Sequence, residues 1–430
     1  MPRIYLFILC YLFVNPAIIK AQQTYFPPLI GQEWQTTSPE TLGWCDDSIQ
    51  SLFDYLQAAN SKAFIVLKEG KMVVEKYFGT FTQDSAWYWA SAGKTLTAAL
   101  IGIAQEEGLI DINQSSNTYL GNNWSALSTA QEDSIKVVHH LTMTTGLNYQ
   151  VTDQNCKSPS CLTYKSTPGS EWFYYNAPYL LLQDMIEKSS GQTLQSFTLN
   201  RLGLKTGVVG LWNDGVFFSR PRAMARFGLL MASHGVWNND SILKNQDFVQ
   251  ALTQTSQNHN LAYGYLWWLN GKSNFMLPTL TQTFPGKLVP NAPDDMVAAM
   301  GKNDQRIYIV PSQQLVVIRM GNEAGEPAAG PSSFDNLLWK KIMQLNCEQN
   351  SLPVLSADKK IRLYPNPVTN HAILSEEAFF TVYNALGKKV LEGFGNHIPM
   401  QSLEYGSYNV LLVKQNSEYQ HINVLFCPHD

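Results

Sequence analysis

Apolar positions along this chain follow two spacings over most of its length, and a third takes over near the end. A helical stripe marks residues 46–59, where Ile49, Leu52, Phe53 and Leu56 share one side. The same spacing recurs at Leu96, Ala99, Leu100, Ile103 and Ala104, and predicts a helix that opens at Ser91 and runs to Glu107. Further helices are predicted over 178–189, closed by Gly191, over 223–233, and over 333–344. A short one is expected over 139–147, stopped by Gly146. Strand-like runs form two hairpins. Residues 63–68 and 71–78 flank Glu69-Gly70, and residues 306–310 and 315–319 flank Pro311-Ser-Gln-Gln314. The aromatic run Tyr263-Gly-Tyr-Leu-Trp-Trp268 also reads as a strand, with core packing as the simplest role for its rings and the lining of a cleft as the alternative. Strands near both sequence ends with helices between them give an α+β class: one antiparallel sheet flanked by helices, with a helical insertion. Residues 348–360 are rich in Gln, Asn, Ser, Pro and Lys and read as a linker. Beyond them the pattern changes to short alternating strands, such as 379–383 and 408–413, divided by Gly and Asn turns. That predicts a small all-β sandwich over 361–430.

Composition narrows the picture. With 430 residues and 45% hydrophobic content the chain has enough apolar material for a large core and little room for extended disorder. A net charge of -4 gives no electrostatic reason to expect nucleic acid or an anionic membrane as partner. The N-terminus has a basic start, Met1-Pro-Arg3, and an apolar run over 4–14. Pro16 and then Ala21 follow, which reads as a signal peptide over 1–21, with a buried N-terminal helix as the alternative. Residues 22–44 read as an extended arm. No stretch of the mature chain is long and apolar enough to span a membrane. Export permits disulfides. Cys156 and Cys161, close together in a polar loop, are expected to pair. Cys45 and Cys347 are a second candidate pair at the two ends of the predicted domain over 45–347, and Cys427 is left over. Buried free thiols are the alternative.

The candidate chemistry starts at Ser91. A helix N-terminus presents free N–H groups and the positive end of the dipole. Lys94, three residues on, returns to the same face, so a hydroxyl nucleophile lies beside an amine base. The Ser-x-x-Lys pattern recurs at Ser241-Ile-Leu-Lys244 and Ser356-Ala-Asp-Lys359, but neither copy opens an apolar helix. An N-cap serine with a solvated lysine is the simplest account of such copies. His139 and His140 are read as structural, since nothing in the sequence brings them to Ser91.

Taken in order, several motifs resemble the serine β-lactamase-like superfamily, in the branch of class C β-lactamases, related esterases and 6-aminohexanoate-dimer hydrolases. Ser91-Ala-Gly-Lys94 is similar to the nucleophile motif, and Leu141-Thr-Met-Thr-Thr-Gly146 to the segment after it. Tyr174-Tyr-Asn176 is similar to the Tyr-x-Asn motif, followed by Tyr179-Leu-Leu-Leu. Tyr-x-Asn also recurs at Tyr364-Pro-Asn366, so order and context carry the match. Ala299-Met-Gly301-Lys-Asn-Asp-Gln305 is similar to the third motif, with two departures. Ala299 supplies no cation for a substrate carboxylate, and Asp304 stands where glycine is usual. The tail, from Arg362-Leu-Tyr-Pro-Asn-Pro-Val368 to Gly406-Ser-Tyr-Asn-Val410, resembles the C-terminal sorting domain of the type IX secretion system. That likeness implies a Gram-negative bacterium of the Bacteroidetes group, the type IX machinery as partner, and a secreted or cell-surface location.

The resemblance implies a β-lactamase/transpeptidase-like domain that cleaves an ester or amide through a Ser91 acyl-enzyme. Lys94 and Tyr174 would share the proton transfers, with Lys94 charge favouring the Tyr174 phenolate. Asn176 would orient Lys94 or the substrate amide. The oxyanion would lie between the N–H of Ser91 and one just after Gly301, that of Lys302. No metal or cofactor is needed. The alternatives are a β-lactamase, a D-alanyl-D-alanine peptidase, or a catalytically silent binding protein of the same fold.

Overall fold

A computed structural model describes residues 24–31, 33–326, 330–346, 361–385, 388–413 and 419–426. The expected signal peptide, the linker over 348–360, Cys347 and Cys427 lie outside these residues. The chain divides into two compact units, Met1–Asn350 and Ser351–Asp430.

The first unit is organised on a six-stranded antiparallel sheet. Its strands are β1 (Ser61–Lys68), β2 (Lys71–Tyr77), β6 (Trp268–Leu269), β7 (Val297–Gly301), β8 (Gln305–Val310) and β9 (Leu315–Gly321), in the order β2-β1-β9-β8-β7-β6. The two ends of the domain sequence therefore meet at the β1–β9 pair, with Ile65 opposite Ile318. Strands β8 and β9 are buried along their whole length, because helices cover both faces of the sheet. Helix α4 (Pro221–Ala232) lies on one face, against β1, β8 and β9. Gly228 lets it approach: a Cβ there would lie 2.6 Å from Val316 Cγ1 and 3.1 Å from Ile307 Cγ2. The other face carries α1 (Asp46–Ala58) and α5 (Ser333–Met343), with Tyr55 stacked on Phe334 and Trp339 edge-on to Tyr308.

Between the two hairpins runs the helical insertion. It contains β3 (Trp87–Tyr88), α2 (Gly93–Glu106), α3 (Asn176–Ser190), β4 (Gly210–Asn213) and β5 (Val216–Ser219). Helix α2 is buried from Gly93 to Ala104, which explains why its sequence is apolar on more than one side. Helix α3 ends as expected at Gly191, in the left-handed conformation. Two predicted elements differ. The helix expected over 139–147 stops at Leu141, since Met143 takes a positive φ of 58°. The aromatic run at 263–268 is mostly turn; Leu266 has φ 63°, and only Trp268 enters the sheet. Cys156 and Cys161 form a disulfide.

The second unit is strand-rich, as expected. Its strands β10 (Leu363–Tyr364), β11 (His371–Asn384), β12 (Lys389–Pro399), β13 (Gly406–Val413) and β14 (Tyr419–Phe426) join in one antiparallel sheet rather than two separate ones. Its own core includes Val368, Leu374, Val382, Ile398, Val410 and Phe426.

Candidate active site

Ser91 does not open α2 directly. It lies in a tight turn, Ala90–Ala92, that leads into the helix at Gly93. Ala90, just before it, has φ 48°, a conformation that costs a non-glycine residue energy and is held only by its surroundings. Those surroundings are specific. Trp89 is fully buried, its backbone N–H donates to Phe217 O at 2.8 Å, and its indole Nε1 donates to Ser219 Oγ at 2.8 Å. Strand β5 thus fixes the chain on the N-terminal side of the serine.

One helical turn on, Lys94 Nζ lies 3.0 Å from Ser91 Oγ. The lysine is only 3% exposed. No carboxylate forms an ion pair with it among the described residues; its Nζ instead lies 4.4 Å from the Tyr179 ring centroid and 5.1 Å from that of Tyr174. The rings favour the ammonium, but loss of solvent outweighs them and brings the Lys94 pKa down to about 7. At neutral pH a large share of Lys94 is therefore a free amine with a lone pair available to the Ser91 hydroxyl.

Tyr174 reaches the same point from the segment before α3, with Ser91 among the groups that act on its phenol. Here the expectation is corrected. Burial pushes the Tyr174 pKa well above its ordinary value, and the influence of Ser91 only partly opposes this. A raised pKa favours the neutral phenol over the phenolate expected beside Lys94. Its ring is stacked on Trp268 at 5.9 Å and meets Tyr263 edge-on at 6.2 Å, so the aromatic run at 263–268 forms the wall behind it.

Asn176 is the first residue of α3. Its Oδ1 is buried without a hydrogen-bond partner. Of the two partners expected for Asn176, Lys94 or a substrate amide, Lys94 does not bond this oxygen, which is left open to another donor. Tyr179, which the sequence reading noted only as part of a family run, emerges as a wall of the Lys94 pocket. It is fixed by donating to Gly215 O at 2.8 Å and by accepting from Gln183 Nε2 at 2.6 Å. Its spacing of three residues from Asn176 on one helix was the available signal.

Gly301 ends β7 against the Ala90–Ala92 turn. A Cβ on it would lie 2.3 Å from Trp89 O and 3.0 Å from Ala92 N, so only glycine allows this approach. Lys302 follows in a short turn, Lys302–Asp304, with its side chain exposed. The histidines stay structural. His140 is fully buried between Ser116 Oγ at 3.0 Å and Pro178 O at 2.9 Å, and its pKa falls to about 4 through burial. His139 Nδ1 accepts from Lys136 N–H at 3.0 Å. A cavity of about 780 Å³ lies elsewhere, lined by Trp34, Leu211, Phe218 and Arg226, and Ser91 is not in its wall. The chemistry, not the volume, locates the site.

Comparisons with known proteins bear on the fold. No curated protein matches the chain. Among solved structures, a Bacillus anthracis protein named as a 6-aminohexanoate-dimer hydrolase is 18% identical. The similarity covers 77% of this chain and 91% of that one, with a TM-score of 0.57. A Bacteroides dorei protein named as a β-lactamase is 16% identical, over 71% and 99% of the two chains, with a TM-score of 0.56. A Pseudomonas syringae protein named as a β-lactamase/D-alanine carboxypeptidase is 18% identical, over 70% and 98%, with a TM-score of 0.52. At these identities the likeness is one of fold. The family model described as Beta-lactamase matches residues 49–203, a span that holds Ser91, Lys94, Tyr174 and Asn176 and ends before Gly301. Family match and architecture together give this chain a β-lactamase/transpeptidase-like fold.

Proposed function

We propose that the protein is a serine hydrolase that cleaves an ester or amide through an acyl-enzyme on Ser91. The observation that carries this reading is Lys94. A buried lysine without a carboxylate partner costs stability, and a silent binding protein has no chemical use for one placed 3.0 Å from a serine hydroxyl.

In the proposed sequence, neutral Lys94 takes the Ser91 proton as Oγ forms its bond to the substrate carbonyl carbon. The carbonyl electrons move to an oxyanion held by the N–H groups of Ser91 and Lys302. As the oxyanion collapses, the bond to the leaving group breaks, and Tyr174 passes that group a proton that Lys94 replaces. Water repeats the steps in reverse and frees Ser91. Tyr174 acts as a neutral relay, which suits its raised pKa. In this reading the unpartnered Asn176 Oδ1 accepts from the substrate amide.

Ester or simple amide substrates fit better than β-lactams or D-alanyl peptides, because Ala299 is fully buried and offers no cation for a substrate carboxylate. A penicillinase or D-alanyl peptidase remains the second reading, favoured by the names of two of the structural relatives. Export through the signal peptide and the type IX system belongs to the same reading and rests on the sequence motifs alone.

A fluorophosphonate probe tests the reading, with p-nitrophenyl butyrate and nitrocefin as paired substrates. Labelling of the wild type, absent from Ser91→Ala, with ester turnover well above nitrocefin turnover, is the expected result. Equal turnover of the two would count against the ester preference; no labelling of folded protein would count against hydrolysis altogether. The pH profile adds a sharper expectation. Only the unprotonated Lys94 accepts a proton, so kcat/KM for the ester should fall on the acid side with a midpoint near the lysine value of about 7. A flat profile between pH 5 and pH 9 would remove Lys94 from the base role.

A further inference from the structure

Beneath the turn that follows Gly301 lies a buried charged cluster that the mechanism above does not use. Arg306 on β8 and Arg319 on β9 are directly opposite each other, and both are at most 1% exposed. Two like charges so placed repel, yet two carboxylates offset them. Asp335 accepts from Arg306 Nε at 2.6 Å, and Asp304 Oδ1 accepts from Arg306 at 2.6 Å and from Ser332 Oγ at 2.7 Å. Asp304 Oδ2 accepts the N–H groups of Ala324 and Gly325 at 2.8 and 3.2 Å. This explains the departure from glycine at 304. The residue does take a left-handed φ of 57°, but its carboxylate is a structural part of the cluster.

The cluster grips the backbone of the turn. Arg306 donates to Gly301 O at 2.7 Å. Gln305 Nε2 donates to Asn303 O at 2.7 Å and Lys302 O at 3.3 Å. Arg319 donates to Asn303 O at 2.9 Å and Asp304 O at 3.1 Å. Four consecutive carbonyls, 301 to 304, are thus drawn inward to buried donors. In a planar trans peptide the C=O of one residue and the N–H of the next point in opposite directions. Holding Gly301 O to Arg306 therefore fixes Lys302 N–H away from the cluster, at the strand end that abuts the Ser91 turn.

We propose that Arg306, held by Asp304 and Asp335, is a positioning residue that aims the Lys302 N–H at the oxyanion. The inference rests on the serine-hydrolase reading. It gives Arg306 no contact with substrate; the guanidinium acts through one peptide plane.

The test is Arg306→Lys in the full chain. It keeps a buried cation but loses the planar fork that reaches Gly301 O and both carboxylates together. Three readouts are needed: kcat and KM for p-nitrophenyl butyrate, inhibition by phenylboronic acid, and the thermal midpoint. The boronate forms a tetrahedral serine adduct that places an oxygen where the oxyanion sits. The expected result is a fall in kcat of about 100-fold, a parallel loss of boronate affinity, and KM within about twofold. A merely structural role would lower the thermal midpoint and leave kcat and boronate affinity of the folded protein unchanged, and that result overturns the proposal. If Arg306→Lys does not fold, Asp304→Asn serves. It removes one of the two carboxylate holds on Arg306 and is expected to lower kcat and boronate affinity together by about tenfold; unchanged values overturn the proposal. Wild-type labelling at Ser91 is read first. An unreactive wild type sinks the hydrolase reading and this inference with it, whereas a reactive wild type with an equally active Arg306→Lys form sinks only the role of Arg306.

Discussion

Replacing Lys94 with methionine is expected to lower ester turnover by roughly 10²- to 10⁴-fold and to raise thermal stability at the same time. The two effects share one cause. Methionine fills the space beside Tyr174 and Tyr179 but has no lone pair for the Ser91 proton, and it removes a cation that has lost its water. The stability gain should depend on pH in a definite direction. The folded-state pKa of Lys94 is about 7, against about 10.4 for a lysine in an unfolded chain. Below pH 7 both states are protonated and the full cost of burying the charge is present. Between the two values the unfolded chain binds more protons, so wild-type stability rises with pH. The advantage of Lys94→Met should therefore be largest near pH 6 and small near pH 10. Thermal midpoints of both forms at those two pH values check this. A gap that does not change with pH would mean that Lys94 titrates normally, and the base assignment would lose its physical basis.

Gly301→Ala is expected to cost about 100-fold in kcat, with some loss of stability. The methyl group would arrive 2.3 Å from Trp89 O, 3.0 Å from Ala92 N and 3.2 Å from Ala90 Cβ. The first two are backbone atoms of the serine turn and cannot rotate aside. The strand end must move away, and the Lys302 N–H moves with it. Gly228→Ala provides the contrast. Its methyl group would meet Val316 Cγ1 at 2.6 Å, far from the chemistry in sequence and on the sheet face covered by α4. It should cost about 1–3 kcal/mol of stability through overpacking and leave kcat of the folded protein unaltered. Urea unfolding alongside ester kinetics separates the two cases. A Gly301→Ala protein with wild-type kcat would show that the approach of β7 to Ser91 does not matter to turnover.

The periodic elements were legible in the sequence because burial imposes their spacing. Helices α1, α3, α4 and α5 and both hairpins lie within a few residues of their predicted bounds. The pairing of Ser91 with Lys94 was also legible, since three residues on a helix bring two side chains to one face. What the sequence hid depends on contacts between distant segments. The turn at Ala90–Ala92 needs a positive φ at an alanine, which no local signal announces; Phe217 and Ser219 impose it from β5. The helix at 139–147 ended early once Met143 adopted a positive φ. The run at 263–268 has strand composition, but its rings serve as a wall for Tyr174. The charge state of Tyr174 depended on how deeply the ring was buried, and spacing does not report that. The sequence marks Arg306 only as the first residue of a strand in the second hairpin. Only the fold revealed that α5 covers it and that Asp304 and Asp335 meet it there.

The central claim is that Ser91 carries the acyl group. Intact-mass spectrometry of the full chain, quenched within its first turnovers of p-nitrophenyl butyrate and followed by peptide mapping, tests it most directly, with Ser91→Ala as control. The expected result is one butyryl group per chain, mapped to Ser91, that disappears as substrate is exhausted and never forms on the variant. Ester turnover that persists in Ser91→Ala, or a butyryl group mapped to another residue, would contradict the account.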